Sequence, residues 1–151
     1  MIVMTTLPLL AKHVLIDPPV TDAGAVLRAL AGMLAISTGR SVVDVVLALE
    51  NREVQGSTGI GHGVALPHAR IEGATEVAIA ALRSPQGIPF AAPDALNVRI
   101  FIAVAVPKHA ATAHLEILSA LAARLASDVV RADLLQAQSA EDFFQLLTHS
   151  D

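Results

Sequence analysis

Apolar and polar positions along this chain repeat with two different periods, and the change from one to the other falls at clear stop signals. Leu9 to Ile16 is a short apolar stretch ended by Asp17-Pro18-Pro19, a lead-in segment with room for one short strand. Thr21 and Asp22 can cap a helix whose apolar residues, Val26, Leu27, Leu30, Met33 and Leu34, recur at helical spacing until Gly39 stops it. Ser41 opens a second helix, with Asp44 three residues on as a capping-box-like pair and Val42, Val45, Val46 and Leu49 as the buried stripe. From Gly56 to Gly63 four glycines fall in eight residues and no amphipathic period survives, so this segment reads as a loop. Val64 to His68 then reads as a short strand ended by Pro67, which cannot donate to a ladder.

Val77 to Leu82 is the next strand, Pro85-Gln86-Gly87 a turn, and Ile88 to Phe90 a further short strand. Leu96 to Val106 is rich in β-branched residues, and Ile100 to Val106 is apolar on both faces, the mark of a central strand covered on both sides. After Pro107 a long helix is expected over about Thr112 to Ala126, with Leu115, Leu118, Leu121, Ala122 and Leu125 facing inward. A shorter helix follows over Val130 to Ala137. The last begins at Ser139, with Asp142 completing another capping box, and buries Phe143, Leu146 and Leu147. Helices first, strands in the middle and helices last predict a layered α/β sandwich, and the absence of repeats or linkers predicts one domain over 1–151.

Composition narrows the function classes. Hydrophobic residues are 54% of the chain and charged residues 16%, enough apolar side chain for a core built from Ala, Leu, Ile and Val. Aromatics are 3%, with no Trp or Tyr, which leaves few stacking residues for single-stranded nucleic acid. The net charge of −4 and the scattered Lys and Arg argue against a duplex-binding face. With no cysteine, thiolate nucleophiles and sulfur-ligated metals are excluded. The longest unbroken apolar run, Ile100 to Val106, is far short of the ~18 residues of a membrane span. The amino terminus lacks the basic stretch of a secretory signal, so the expectation is a cytoplasmic protein.

One constellation carries chemistry: Ser57-Thr-Gly-Ile-Gly-His-Gly-Val-Ala-Leu-Pro-His68-Ala-Arg70. Glycines let backbone N–H groups converge on an anion, and the hydroxyls of Ser57 and Thr58 add donors. His68, at the end of the following strand, would then hold a nucleophilic imidazole at the mouth of a phosphate site. The spacing is neither the Walker pattern, since no Gly-Lys-Ser/Thr follows, nor the dinucleotide fingerprint. Taken alone it fits equally well a glycine-rich connection beside a half-buried His68.

The run Asn51-Arg-Glu-Val-Gln-Gly-Ser-Thr-Gly-Ile-Gly-His-Gly-Val-Ala-Leu-Pro-His-Ala-Arg closely resembles the signature of the fructose/mannitol-type enzyme IIA of the bacterial phosphotransferase system, and His114-Leu-Glu-Ile-Leu-Ser-Ala-Leu resembles that family's second motif. The resemblance runs from about residue 5 to the end. It implies a mixed β-sheet between helical layers, and a phosphocarrier that takes a phosphoryl group on a histidine from a small HPr-like protein. The receiver would be an enzyme IIB or a regulatory target. Carried over position by position, the phosphorylated histidine falls on His68, the second active-site histidine on His114, and the arginine before the glycine loop on Arg52. Ser57 and Thr58 match the family's hydroxyl pair, and Gly59, Gly61 and Gly63 complete the expected phosphate cradle. No cofactor is implied.

The remaining polar residues have plainer readings. His62 and His109 would bring the histidines near the site to four, which invites a zinc reading, but no Asp or Glu is spaced to complete a metal motif. His13 and His149 read as surface residues. Glu53 and Arg70 read as solvent-facing, with Arg70 available to a partner. Chain length and the lack of a fused IIB, IIC or HPr-like domain point to the nitrogen-regulatory branch. Sugar transport through a separate IIB is the alternative, and a non-covalent anion- or metal-binding module the reading from another class.

Overall fold

A computed structural model describes residues 7–110 and 112–149. Residues 1–6, on which the leader reading rests, lie outside them. The elements in chain order are β1 (Leu9–Ile16), α1 (Ala23–Thr38), α2 (Val42–Gln55), β2 (Gly59–Gly61), β3 (Val64–Ala65), β4 (His68–Ile71), β5 (Ala78–Ile88), β6 (Val98–Pro107), α3 (Ala113–Leu125), α4 (Asp128–Gln136) and α5 (Ala140–Thr148). The strands form one mixed sheet in the order β1-β5-β6-β3-β2, with β4 also paired to β6. β5 and β6 are antiparallel, whereas β3 and β4 both run parallel to β6.

The two faces of β6 show why the architecture is a three-layer α/β/α sandwich, as expected. Phe101, Ala103 and Ala105 pack with α1 and α2, while Ile100, Ile102, Val104 and Val106 pack with α3, α4 and α5. Every one of these residues is buried, so period-two alternation sorts one continuous apolar run into two cores. Small residues dominate the α1/α2 face of the sheet and allow those helices to lie close to it. Phe101, met edge-on by Phe90 at 5.4 Å between ring centroids, fills the largest space there.

The helix boundaries follow the caps. Asp22, Ser41, Ser127 and Ser139 each accept from a backbone N–H three residues on, and Gly39 ends α1 at φ 70°. The expected stripe of α1 is buried throughout. In α2 only Val45 and Leu49 are buried; Val42 opens to solvent because the sheet covers α2 along a narrower band than its apolar residues span. In α3 Leu121 and Leu125 are buried and Leu118 and Ala122 half-buried, as expected, but near its start Ile117 is buried and Leu115 exposed, which corrects the start of the stripe.

Two expected breaks are absent as such. Pro85-Gln86-Gly87 is no turn; it lies within β5, where the register against β6 shifts between Arg83↔Ile100 and Ile88↔Val98. The extra residues bulge outward, with Pro85 and Gln86 exposed and Gly87 at φ 83°. Ile88 is the last residue of β5, so no separate strand reaches Phe90. The glycine-rich loop is partly a hairpin: β2 pairs antiparallel with β3 across His62 and Gly63, both at positive φ as a tight two-residue turn requires.

Candidate functional site

His68 begins a strand; the sequence pattern had placed it at the end of one. β3 and β4 keep a single register along β6, Val64↔Ile100, Ala65↔Phe101 and His68↔Val104, interrupted only at Leu66 and Pro67. Pro67 has no N–H to give, but its carbonyl accepts from Val104 N–H at 2.8 Å. The Leu66 N–H turns away to Thr58 O at 3.0 Å. Beyond this break β4 alternates: Ala69 and Ile71 are buried in the α1/α2 core, which places His68 and Arg70 on the opposite face, towards the start of α3.

The interruption also fixes the imidazole of His68. Its Nδ1 lies 2.8 Å from Leu66 O. A carbonyl only accepts, so Nδ1 carries the proton and the lone pair of the neutral ring sits on Nε2. The ring is half-buried and lines two hollows, one of about 490 Å³ and one of about 320 Å³.

The larger hollow brings together Arg52, His68, Arg70 and His114 with Ala48, Asn51 and Gln55 of α2. Arg52, in the last turn of α2, lines both hollows and donates from Nη1 to Gly56 O at 2.7 Å. His114, in the first turn of α3, has its Nδ1 3.4 Å from Nη2 of Arg70. Burial, then the charge of Arg70 and then that of His68, hold the His114 imidazole below its ordinary value of 6.5. It therefore stays neutral near pH 7 and, with Nδ1 turned to a donor, keeps its proton on Nε2.

The smaller hollow is lined by Arg52, Ser57, Thr58, Gly59, Ile60 and Leu66 on one side of His68, and by Leu118, Ser119 and Ala122 of α3 on the other. Here the arrangement differs from a ready phosphate cradle. The Ser57 hydroxyl donates to Ala91 O, and the Thr58 hydroxyl donates to Glu53. Thr58 N–H also donates to Glu53 Oε2 at 3.0 Å, and Gly59 N–H to Ser57 Oγ at 3.0 Å. These donors are already engaged by the protein. Gly61 and Gly63 line neither hollow; their positive φ values, 91° and 77°, serve the hairpin. Gly59 is required by close approach instead, since a Cβ there would stand 2.5 Å from Ala91 O.

Glu53 is thus no free surface residue. It ties the end of α2 to the start of the loop, and nothing in its spacing separates that role from a solvated one. Arg70 is exposed, as expected, yet it is anchored within the site; its position two residues after His68 on a strand was the available signal. His13 corrects the surface reading: it is 4% exposed, with Nδ1 3.2 Å from Ser37 Oγ and Nε2 buried without a partner among the described residues. His149 and His109 are exposed. His62 sits at the hairpin tip, where its N–H donates to Asp94 at 2.7 Å. Of the six histidines, His68 and His114 line the larger hollow. Among the described residues no three His, Asp or Glu side chains are grouped to hold a metal ion.

Comparison with known proteins agrees with this fold. The family model described as "Phosphoenolpyruvate-dependent sugar phosphotransferase system, EIIA 2" matches residues 8–150. The chain is 38% identical over 125 residues to the PTS system fructose-specific EIIA component of Haloferax volcanii, covering 82% of this chain and 80% of that one. It is 38% identical over 107 residues to the Nitrogen regulatory protein of Escherichia coli strain K12, covering 69% of this chain and 64% of that one. The crystal structure of Nitrogen Regulatory Protein IIA-Ntr from Neisseria meningitidis matches with a TM-score of 0.89 at 33% identity, over 93% of this chain and 97% of that one. By these matches the chain belongs to the EIIA type 2 family of the phosphoenolpyruvate-dependent sugar phosphotransferase system, whose components carry phosphoryl groups via histidine.

Proposed function

We propose that the chain acts as a single enzyme IIA domain in which His68 Nε2 takes a phosphoryl group from a phosphohistidine on a small HPr-like carrier. The observation that carries this reading is the 2.8 Å contact between His68 Nδ1 and Leu66 O, which leaves the nucleophilic lone pair on Nε2. In transfer, Nε2 attacks phosphorus, the donor's P–N bond breaks, and its electron pair returns to the donor's ring nitrogen. The proton stays on Nδ1, and the Leu66 carbonyl that accepts its hydrogen bond offsets the positive charge gained by the ring. A phosphoramidate formed this way is labile, so the same step run towards a receiver passes the group on.

The surrounding groups suit such a relay. Little covalent work falls to the protein, so in-line positioning and charge neutralisation dominate. Arg52 supplies a permanent planar cation on the wall shared by both hollows. His114, neutral, supplies an N–H that can donate to a phosphoryl oxygen without holding the group as tightly as a second cation would. Ser57, Thr58 and Gly59 shape the smaller hollow and shield one side of the ring.

For the receiver, the regulatory reading leads: the phosphorylation state of His68 reports on metabolism and alters which protein the domain binds. The match to IIA-Ntr over nearly the whole of both chains supports it. The second reading, delivery to a separate fructose- or mannitol-type IIB for sugar uptake, is favoured by the match to a fructose-specific EIIA component. A cytoplasmic place of action belongs to both. Among the described residues no helix is long and apolar enough to cross a membrane.

Incubation with phosphoenolpyruvate, enzyme I and an HPr-type carrier should raise the intact mass by one acid-labile phosphoryl group, and His68→Ala should abolish the gain. A wild-type protein that takes no phosphate from any such carrier overturns the reading in favour of a non-covalent anion-binding module. Mixing the phosphorylated protein with a purified fructose-type IIB then separates the two receivers: rapid loss of the group to IIB supports transport, and retention supports regulation.

A further inference from the structure

Arg70 is not needed to explain phosphoryl acceptance by His68, yet its guanidinium contacts both the segment before α3 and His114 beside the larger hollow. From β4 its Nη1 donates to two carbonyls of the segment before α3, Lys108 O at 3.1 Å and Ala110 O at 2.5 Å. Its Nη2 points to His114 Nδ1. A guanidinium has donors only, and its planar fork fixes the direction of each N–H. One side chain therefore joins the strand of His68 to the segment leading into the helix of His114, and selects which ring nitrogen of His114 is protonated.

We infer that Arg70 is a positioning residue for phosphoryl transfer, one that pins the approach to α3 against β4 and fixes His114 as the neutral Nε2–H tautomer. The inference rests on the phosphocarrier reading and deepens it. A neutral Nε2–H donor supports the charge on phosphoryl oxygens while the group is in flight. An imidazolium would also stabilise the phosphorylated state at rest and slow the onward step. The titratable and charged groups on the elements around His114 are His68 and Arg70 on β4, Arg52 on α2, Lys108 and His109 before α3, and Glu116 in its first turn. Lys108 is paired with Glu72 at 3.6 Å. The Arg70 guanidinium approaches the His114 ring to 3.4 Å at Nδ1, and its loss removes both a charge that resists protonation and the donor that selects the tautomer.

The test compares wild type, Arg70→Met and Arg70→Lys by 15N NMR of the histidine side chains and by transfer kinetics from a phosphorylated HPr-type carrier. In the unphosphorylated wild type, His114 should titrate below the ordinary histidine range as a single Nε2–H tautomer. In Arg70→Met the titration should move up, both tautomers should be populated, and transfer should slow by about tenfold, the loss of one charge-assisted hydrogen bond. Arg70→Lys keeps a charge but cannot bridge two carbonyls and a ring at once. It should hold the titration low while the tautomers still mix, and it reads the same resonances if Arg70→Met fails to fold. An unchanged His114 tautomer in both variants overturns the inference, as does a changed tautomer with wild-type transfer rates. Because the imidazole signals are read before any phosphate is added, a wild type that accepts no phosphoryl group exposes failure of the functional reading separately.

Discussion

Replacing Arg83 with methionine should destabilise the fold by several kcal/mol, on the order of a broken buried pair, without touching the hollow at His68. Arg83 is on β5 and 5% exposed. Its Nε and Nη2 form a two-pronged pair with Asp17, both at 2.9 Å. Its Nη1 donates to Leu134 O at 2.9 Å, Leu135 O at 3.3 Å and Ala137 O at 2.7 Å, carbonyls at the end of α4. Asp17 in turn gives its own N–H to Arg83 O at 2.9 Å, so the end of β1, β5 and α4 meet at one side chain. Truncation leaves the buried bonds to Leu134 and Ala137 unmade, at about 1–3 kcal/mol each. The carboxylate of Asp17 is 40% exposed and water recovers most of its share, so that part is only about 0–1 kcal/mol. These parts sum to about 2–7 kcal/mol, and the range for breaking one partner of a buried pair narrows the expectation to about 3–5 kcal/mol. At ~2–4 °C per kcal/mol for a chain of this size, Tm should fall by roughly 6–20 °C. Urea unfolding with an unchanged m-value is the assay, and Asp17→Asn, which keeps an acceptor, should lose no more than about 1 kcal/mol. A loss below about 1 kcal/mol for Arg83→Met, or equal losses for the two variants, would refute the assignment of α4 carbonyls as the dominant partners.

Further outcomes follow from other buried groups. Burial, then the charge of Lys12, hold His13 below its ordinary value of 6.5, so the folded state keeps it neutral. Below about pH 6.5 the unfolded chain binds a proton that the fold refuses, so stability should decline from there until the folded value is reached. Unfolding free energies between pH 7 and 5 should slope less in His13→Gln than in wild type; parallel slopes would exclude His13 as a source. Gly59→Ala should destabilise by about 1–3 kcal/mol, because its Cβ meets backbone at Ala91. Gly32→Ala, in α1 with nothing within 4 Å of a new Cβ, should instead stabilise by about 0.5–1 kcal/mol. Thermal melts of the pair check both signs. His114→Ala should leave the melt unchanged but slow phosphoryl transfer by about 100-fold, the scale of one lost donor to transition-state charge; an unchanged rate in either direction would remove it from the site.

The legible parts of this chain are those governed by local rules. Helix starts at Asp22, Ser41 and Ser139 were readable because a side chain caps its own backbone three residues on, and the double-faced run of Ile100 to Val106 announced the central strand. What failed needed partners distant in sequence. Pro85 to Gly87 carries the residues of a turn, but β6 continues opposite it, and the segment bulges out of β5 without reversing the chain. Leu115 and Ile117 both fit a helical stripe; only the contact of α3 with the sheet chooses between them. At the site, His68 was a candidate from the glycine-rich run and was strengthened by motif resemblance, His114 and Arg52 came from the resemblance, and the structure places all three on one hollow. The donors of Ser57, Thr58 and Gly59 were legible as residue types but not as already engaged, since their partners, Glu53 and Ala91, had no such signature.

In the proposed function, His68 accepts the phosphoryl group through Nε2 because Leu66 O holds the proton on Nδ1. The direct measurement is 15N–1H and 31P NMR of 15N-histidine-labelled protein phosphorylated through an HPr-type carrier. One new phosphorus signal should appear, with the shifts of the His68 ring placing phosphorus on Nε2 and the proton still on Nδ1. Phosphorus on Nδ1 of His68, or on any other residue, would contradict the account.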